Sequence, residues 1–249
     1  MITTIEHKNQ SFKVDLSKPL DISIPLKASK ENVNAWYIAA PKIEPVKDGD
    51  WIGKVSEGAS TNFNTISFNP HGHGTHTECI GHITREFYSI NNVLKQFFFL
   101  AKVITVIPEQ KGEDFVINED PIKNAINSAN IEALIIRTLP NSKDKINKQY
   151  SHTNWPYISQ EAAIHIRESG IEHLLIDLPS VDKEKDEGRL LAHKAFWNYP
   201  EAPRNRATIT ELIYVQDEIK DGIYLLNLQI ASFENDATPS KPILYPVIN

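Results

Sequence analysis

Residues 131–178 read IEALIIRTLPNSKDKINKQYSHTNWPYISQEAAIHIRESGIEHLLIDL. Two runs rich in Ile and Leu, IEALIIRTL and IEHLLIDL, flank the segment QEAAIHIRES, whose apolar spacing is helical. Ser159 stands before that segment as an N-cap and Gly170 after it as a C′ residue, so both helix ends are chemically marked. Upstream, the run FFFLAKVITVI at 97–107 predicts another strand. Asp120 and Pro121 then open a helix expected to reach about Ala129. Strand, helix, strand, helix, strand is the order expected of parallel neighbours, which need a connection long enough to return along one face of the sheet. The fold class is α/β, a mixed sheet with crossover helices.

Outward from this centre the patterns shorten. β-like runs at 11–16, 20–26, 34–39 and 61–68, separated by Pro, Asn, Asp and Gly, predict strands and hairpins. Toward the C-terminus, LLAHKAFW at 190–197 predicts a short helix, ATITELIYV at 207–215 a short helix or turn, and GIYLLNLQIASF at 222–233 a strongly alternating strand, followed by a Pro-punctuated tail. No internal repeat or linker divides the chain, so residues 1–249 are expected to form a single domain.

Composition excludes several function classes. Hydrophobic residues at 41% and charged residues at 23% are those of a folded globular protein. A net charge of −6 and the lack of a basic stripe argue against a nucleic-acid partner. No run approaches a membrane span, and the opening MITTIEHKNQSFKVDLSK lacks the apolar core of an export signal. A lone Cys79 permits no intrachain disulfide. A cytoplasmic location, with no membrane partner, is the expectation.

Four of the nine histidines, His71, His73, His76 and His82, fall within HGHGTHTECIGH at 71–82, where uniform placement would put about 0.4. Imidazole and carboxylate are common ligands of zinc and other divalent first-row ions, and Glu78 supplies a carboxylate among the histidines. In extended chain His76 and Glu78 share a face, and His82 has the same parity. His71 and His73 have the opposite parity and join only if the chain turns, which Gly72 and Gly74 would ease by entering φ > 0. Cys79, between Glu78 and Ile80, is expected to pack as a small apolar group.

At this motif the chain resembles the cyclase-like metal-dependent hydrolases, the family of bacterial kynurenine formamidase and isatin hydrolase. That family's signature runs approximately H-x-G-T-H-x-D-x-P-x-H, and residues 72–82 read GHGTHTECIGH. DLSKPLDISIPL at 15–26 and IDLPSVD at 176–182 resemble its opening and later motifs, and His193 and Glu211 follow in order. The resemblance implies a swivelling β/β/α-type fold, one or two divalent ions (zinc or manganese), and a homodimer or homotetramer. It implies that His76 ligates a first ion, Glu78 bridges two ions, His193 and Glu211 hold the second, and His82 is an unligated catalytic histidine. The first family histidine aligns with Gly72, so His71 or His73 must replace it. Glu78 stands for aspartate, Ile80 for proline, and FWNYPEAPRNRA lengthens the interval between His193 and Glu211.

A bound divalent ion lowers the pKa of water to about 7 and polarises a carbonyl. His82, as an imidazole, would carry the proton to a departing amine. The expected activity is hydrolysis of an amide or cyclic amide, arylformamidase-like, on a small molecule for which Trp36, Trp51, Trp155, Trp197, Phe63, Phe68 and Tyr199 could build an aromatic pocket or else serve the core. Arg204 and Arg206 either meet a substrate carboxylate or decorate a surface loop. Asp177 and Asp182 either orient a ligand histidine or end a strand. His152, His165 and His173 have no partner motif. Two rival readings are a non-haem Fe(II) oxygenase, with His76, Glu78 and His193 as an H-x-E…H facial triad, and a metal-binding protein that keeps the fold without the chemistry.

Overall fold

Seven strands form the body of the molecule: β1 (His76–Cys79), β2 (Phe98–Val106), β3 (Ala133–Thr138), β4 (His173–Ile176), β5 (Thr208–Glu211), β6 (Gly222–Ile230) and β7 (Ala237–Ile248). They were traced in a computed structural model that describes residues 1–126 and 130–248. Neighbours run β1, β7, β6, β2, β3, β4, β5 and back to β1, so the sheet closes into a barrel. The consecutive pairs from β2 to β5 are parallel, and the remaining pairs are antiparallel. Helices α1 (Glu119–Ile126), α2 (Gln160–Glu168) and α3 (Leu191–Trp197) lie in the connections between the parallel strands. This is the expected α/β arrangement of mixed sheet and crossover helices.

Alternation explains why the parallel strands look continuously apolar. Ala133, Ile135, Ala101, Val103, Leu175, Leu226, Leu228, Leu244 and Cys79 come from six barrel strands yet form one cluster, the barrel interior. Leu134, Ile136, Leu174 and Ile176, with the opposite parity, pack against Ile122, Ala163, Ile166 and Phe196 of the helices. Both faces of β3 are therefore buried, as parallel strands covered by crossover helices require.

Ser159 caps α2 by accepting from Ala162 N–H at 3.1 Å, and Gly170 follows at φ +79°, as predicted. Helix α1 begins at Glu119, one residue before the expected N-cap; Pro121 is tolerated because the first turn has no intrahelical acceptors to lose. Its expected continuation to Ala129 lies outside the described residues.

Three sequence expectations are corrected. Residues 208–211 are a strand rather than a helix or turn, because β-branched Thr208, Ile209 and Thr210 fill a slot beside β4 that is buried on both faces. The Pro-punctuated tail is the twelve-residue strand β7. Ser240 N–H donates to Thr75 O and Pro242 O accepts from Ile22 N–H, so the even-numbered residues turn their backbone polar groups away from β6. Pro242 and Pro246 therefore remove no donor from that ladder. Residues 34–39 are not a strand, because Trp36 and Tyr37 adopt left-handed backbone at φ +63° and +60°.

Candidate metal centre

On β1, His76 and Glu78 face outward from the barrel, opposite the Cys79 side chain that fills its interior. Strand β5 pairs antiparallel with β1, setting Glu211 directly across from His76 and Ile209 across from Glu78. Glu211 thereby joins the same face. Helix α3 then lays His193 over that face, its backbone start tied down by Asp182, which accepts from Ala192 N–H at 2.7 Å and His193 N–H at 3.2 Å. Side chains from 76 to 211 meet because sheet register and one capped helix bring them together.

His71 arrives from the other side, on a single helical turn (Pro70–His73) whose N-cap, Asn69, accepts from His71 N–H at 2.9 Å. Its Nδ1 lies 3.1 Å from Glu78 Oε2, and His82 Nδ1, at the end of a 3-10 turn, lies 3.8 Å from the same oxygen. His193 Nε2 is 3.1 Å from Glu78 Oε1 and 3.8 Å from Glu211 Oε1, and His76 Nε2 is 3.4 Å from Glu211 Oε2. The two oxygens of Glu78 thus serve different sides, one toward His71 and the other toward His193.

His73 is corrected out of this group. Its Nε2–H donates to Ala39 O at 2.8 Å and its Nδ1 accepts from Asn69 N–H at 2.8 Å, so neither nitrogen is left for an ion. The glycines also act differently from expectation. Neither Gly72 nor Gly74 lies in the left-handed region; Gly74, at φ 163°, is extended. What Gly72 supplies is room, since a Cβ there would stand 2.6 Å from Ile38 Cδ1 and 3.2 Å from Ala35 O. A side chain at the position that aligns with the family's first histidine would have to displace the end of Ile38 and press on Ala35 O, and His71 enters one residue earlier.

Each inward imidazole has its far nitrogen occupied. His193 Nδ1–H donates to Asp182 Oδ2 at 2.6 Å, His76 Nδ1–H to Gly74 O at 3.0 Å, and His71 Nε2–H to Asp236 Oδ2 at 3.0 Å. Such outer acceptors fix the tautomer and orientation of metal-ligating histidines. Asp182 therefore does more than end a strand, whereas Asp177 is buried against Lys145 Nζ at 2.7 Å and Thr138, holding two strand ends together. Asp236 drew no attention in the sequence. Only barrel closure, with Cys79 N–H donating to Asp236 O at 3.0 Å, brings it beside residues 71–82.

Electrostatics agree with a cation site. Burial alone would push the Glu78 carboxyl up, but the imidazoles of His82, His193 and His71 hold it well below the usual carboxylate range. Burial works against the charged form of His71, and the carboxylates of Asp236 and Glu78 nonetheless push its pKa up to about 10. The same competition, with Asp182 and Glu78 as partners, pushes His193 up. His76 Nε2 and Glu78 Oε2 are fully buried without a properly directed hydrogen-bond partner among the described residues. An unpaired His76 Nε2 would cost about 1–3 kcal/mol, a penalty that a bound divalent ion would remove. The donor set of imidazole and carboxylate suits zinc or another first-row divalent ion.

Other candidates fall outside the centre. Burial pushes the Cys79 thiol up to about 11, which keeps it neutral and inert. Arg204 donates to Phe196 O at 3.0 Å and Ile171 O at 2.6 Å, a structural tie. Trp155 and Trp197 are core residues, while Trp51 and Phe63 are exposed on a hairpin arm away from the cluster.

A family model described as "Putative cyclase" matches residues 14–183. The chain belongs to this family. The match includes His71 to His82 and Asp182 but ends before His193 and Glu211. Among solved structures, a potential metal-dependent hydrolase with cyclase activity is similar at a TM-score of 0.64, covering 92% of this chain and 97% of that one at 16% identity. An isatin hydrolase bound to the product analogue thioisatinate reaches 0.66, covering 93% of each chain at 14% identity. Isatin hydrolase A from Labrenzia aggregata, bound to benzyl benzoate, also reaches 0.66, over 93% of this chain and 94% of that one at 15% identity. At these identities the likeness of this cyclase-family chain to those structures is one of fold. Curated protein sequences yield no match. No helix among the described residues is long and apolar enough to cross a membrane.

Proposed function

We propose that the protein is a metal-dependent hydrolase that opens the C–N bond of a small amide, of the aryl formamide, lactam or cyclic imide type. The observation that carries this reading is the convergence of His71, His76, Glu78 and His193, with Glu211 beside His76 and His193, around His76 Nε2 and Glu78 Oε2, two buried atoms that make no properly directed hydrogen bond among the described residues. A bound divalent ion supplies a water ionised near neutral pH and polarises a carbonyl. His71, His76 and Glu78 would hold one ion, and Glu78, His193 and Glu211 a second, with zinc as the first choice and manganese as the second.

His82 has a different environment from the proposed ligands. About a third of its side chain is exposed (31%), and its Nδ1 is directed at Asp236 Oδ2 at 3.3 Å. An exposed imidazole beside the cluster suits a proton carrier that serves the departing amine. Phe68 and Phe233, with ring centroids 6.2 Å apart, come from segments adjoining His71 and Asp236 and support an aromatic substrate. The isatin hydrolases of like fold, with thioisatinate or benzyl benzoate bound, support the same class.

We read residues 1–249 as one unit that works in the cytoplasm as a homodimer or homotetramer. The hairpin arm formed by Lys42–Pro45 and Asn64–Ser67, which exposes Ile43, Ile66 and the adjoining Phe63, supports self-association. A non-haem oxygenase would want a basic anchor for an oxo-acid and a jelly roll, whereas Arg204 is tied to Phe196 O and Ile171 O and the sheet is a barrel with crossover helices.

Untagged protein loaded with zinc or manganese should hydrolyse at least one member of a panel of aryl formamides, cyclic imides and lactams without oxygen. Stoichiometric metal with no turnover on that panel would favour a non-catalytic metal-binding protein. Turnover requiring both Fe(II) and oxygen would favour the oxygenase.

A further inference from the structure

Asp236 lies 165 residues from His71 and 154 from His82, yet one of its oxygens, Oδ2, is the near neighbour of both imidazoles, at 3.0 Å and 3.3 Å. The two rings stand 4.4 Å apart and are tilted by 31°. Asp236 is held there by backbone register rather than by its side chain: its carbonyl accepts from Cys79 N–H, and Ala237 pairs with Glu78 across the β1–β7 ladder. The carboxylate is therefore presented to the cluster by the same strand pairing that presents Glu78.

We propose that Asp236 is a positioning residue that couples the ion-holding half of the centre to its proton-carrying half, orienting His71 through Nε2 and His82 through Nδ1. The inference rests on the metal-hydrolase reading given above. With Nε2–H kept on Asp236, the proton that an ion would displace from His71 is the one on Nδ1, the nitrogen that faces Glu78 Oε2 at 3.1 Å. Donation from His82 Nδ1–H places the lone pair of that ring on Nε2, which makes no hydrogen bond among the described residues. Asp236 thus gives His71 the anchoring that Asp182 gives His193 and the Gly74 carbonyl gives His76. It alone also reaches a second imidazole. His71 enters from a single helical turn, and Asp236, one residue before β7, anchors the far side of its ring.

The test uses the full chain stripped with chelator and titrated with Zn²⁺ alone, its affinity read by competition with a chromophoric chelator. Asp236→Ala is expected to weaken Zn²⁺ binding by about 10–100-fold, the usual effect of removing an outer-shell acceptor. In a His71→Ala background the same substitution is expected to change affinity by less than about 3-fold, because the effect travels through that ring. In zinc-loaded protein with ¹⁵N-labelled histidine, His82 is expected as the Nδ1–H tautomer, shifting to Nε2–H in Asp236→Ala. Should Asp236→Ala fail to fold, the isosteric Asp236→Asn carries the same measurements, with a smaller loss because its amide oxygen still accepts. Parent-like affinity in the folded variants, a loss fully additive with His71→Ala, or an unchanged His82 tautomer would overturn the proposal. A parent protein that binds no Zn²⁺ would instead sink the metal-hydrolase reading.

Discussion

His71 and His73 sit on one helical turn and are put to opposite uses. The ring of His73 is consumed by Ala39 O and Asn69 N–H, whereas that of His71 spans Glu78 and Asp236. His73→Ala is expected to cost about 1 kcal/mol of stability, from the loss of two part-buried hydrogen bonds, and to leave Zn²⁺ affinity at the parent value. His71→Ala is expected to weaken Zn²⁺ by more than the roughly 10–100-fold of an outer-shell loss. Denaturation and chelator competition on the two variants check both outcomes. His82→Ala should keep its metal and lose about 10²–10⁴ in kcat, read by metal analysis beside turnover of whichever amide the screen identifies. Spacing alone left His71 and His73 open, because the choice depends on what surrounds Gly72, and Ile38 and Ala35 lie more than thirty residues upstream. His76 and Glu78 were legible, since alternation along a strand puts i and i+2 on one face whatever the rest of the chain does.

At the scale of elements, local chemistry was readable where it was self-contained. Ser159 accepts from the helix it starts, and Ser159→Ala should lower stability by about 1 kcal/mol, measurable by urea titration. Four residues at 208–211 are too few for alternation to separate a strand from a turn, even with three of them β-branched, and pairing with β4 on one side and β1 on the other decides it. His173, on β4, shows how such burial becomes a pH dependence. Desolvation, with Arg204 nearby, pushes its pKa down to about 3 from the ordinary 6.5, and its Nδ1 lies 2.8 Å from Thr208 Oγ1. The unfolded chain then binds a proton that the folded one refuses. Stability from this group is complete above about pH 6.5 and falls as pH drops toward 3, by at most about 1.4 kcal/mol per pH unit. Urea titrations of metal-free protein between pH 6.5 and 4.5 should show a shallower decline for His173→Gln than for the parent.

At the scale of the molecule, barrel closure creates the centre. Pairing of β1 with both β5 and β7 places Glu211 across from His76 and Asp236 against Cys79, contacts that no short-range pattern announces. The sequence order of strands and helices disclosed the crossover half of the barrel, while the closing strand hid behind its prolines. The exposed apolar arm at 42–67 belongs to this scale too, and light scattering should return a mass that is an even multiple of the 28.2 kDa chain. The central claim is that Glu78 and the imidazoles around it hold a divalent ion. Its most direct test is elemental analysis of untagged protein beside Glu78→Ala, both purified without added metal. The account predicts one or two ions per parent chain and loss of stoichiometric metal in the variant; equal metal in the two proteins, or only traces in the parent, would contradict it.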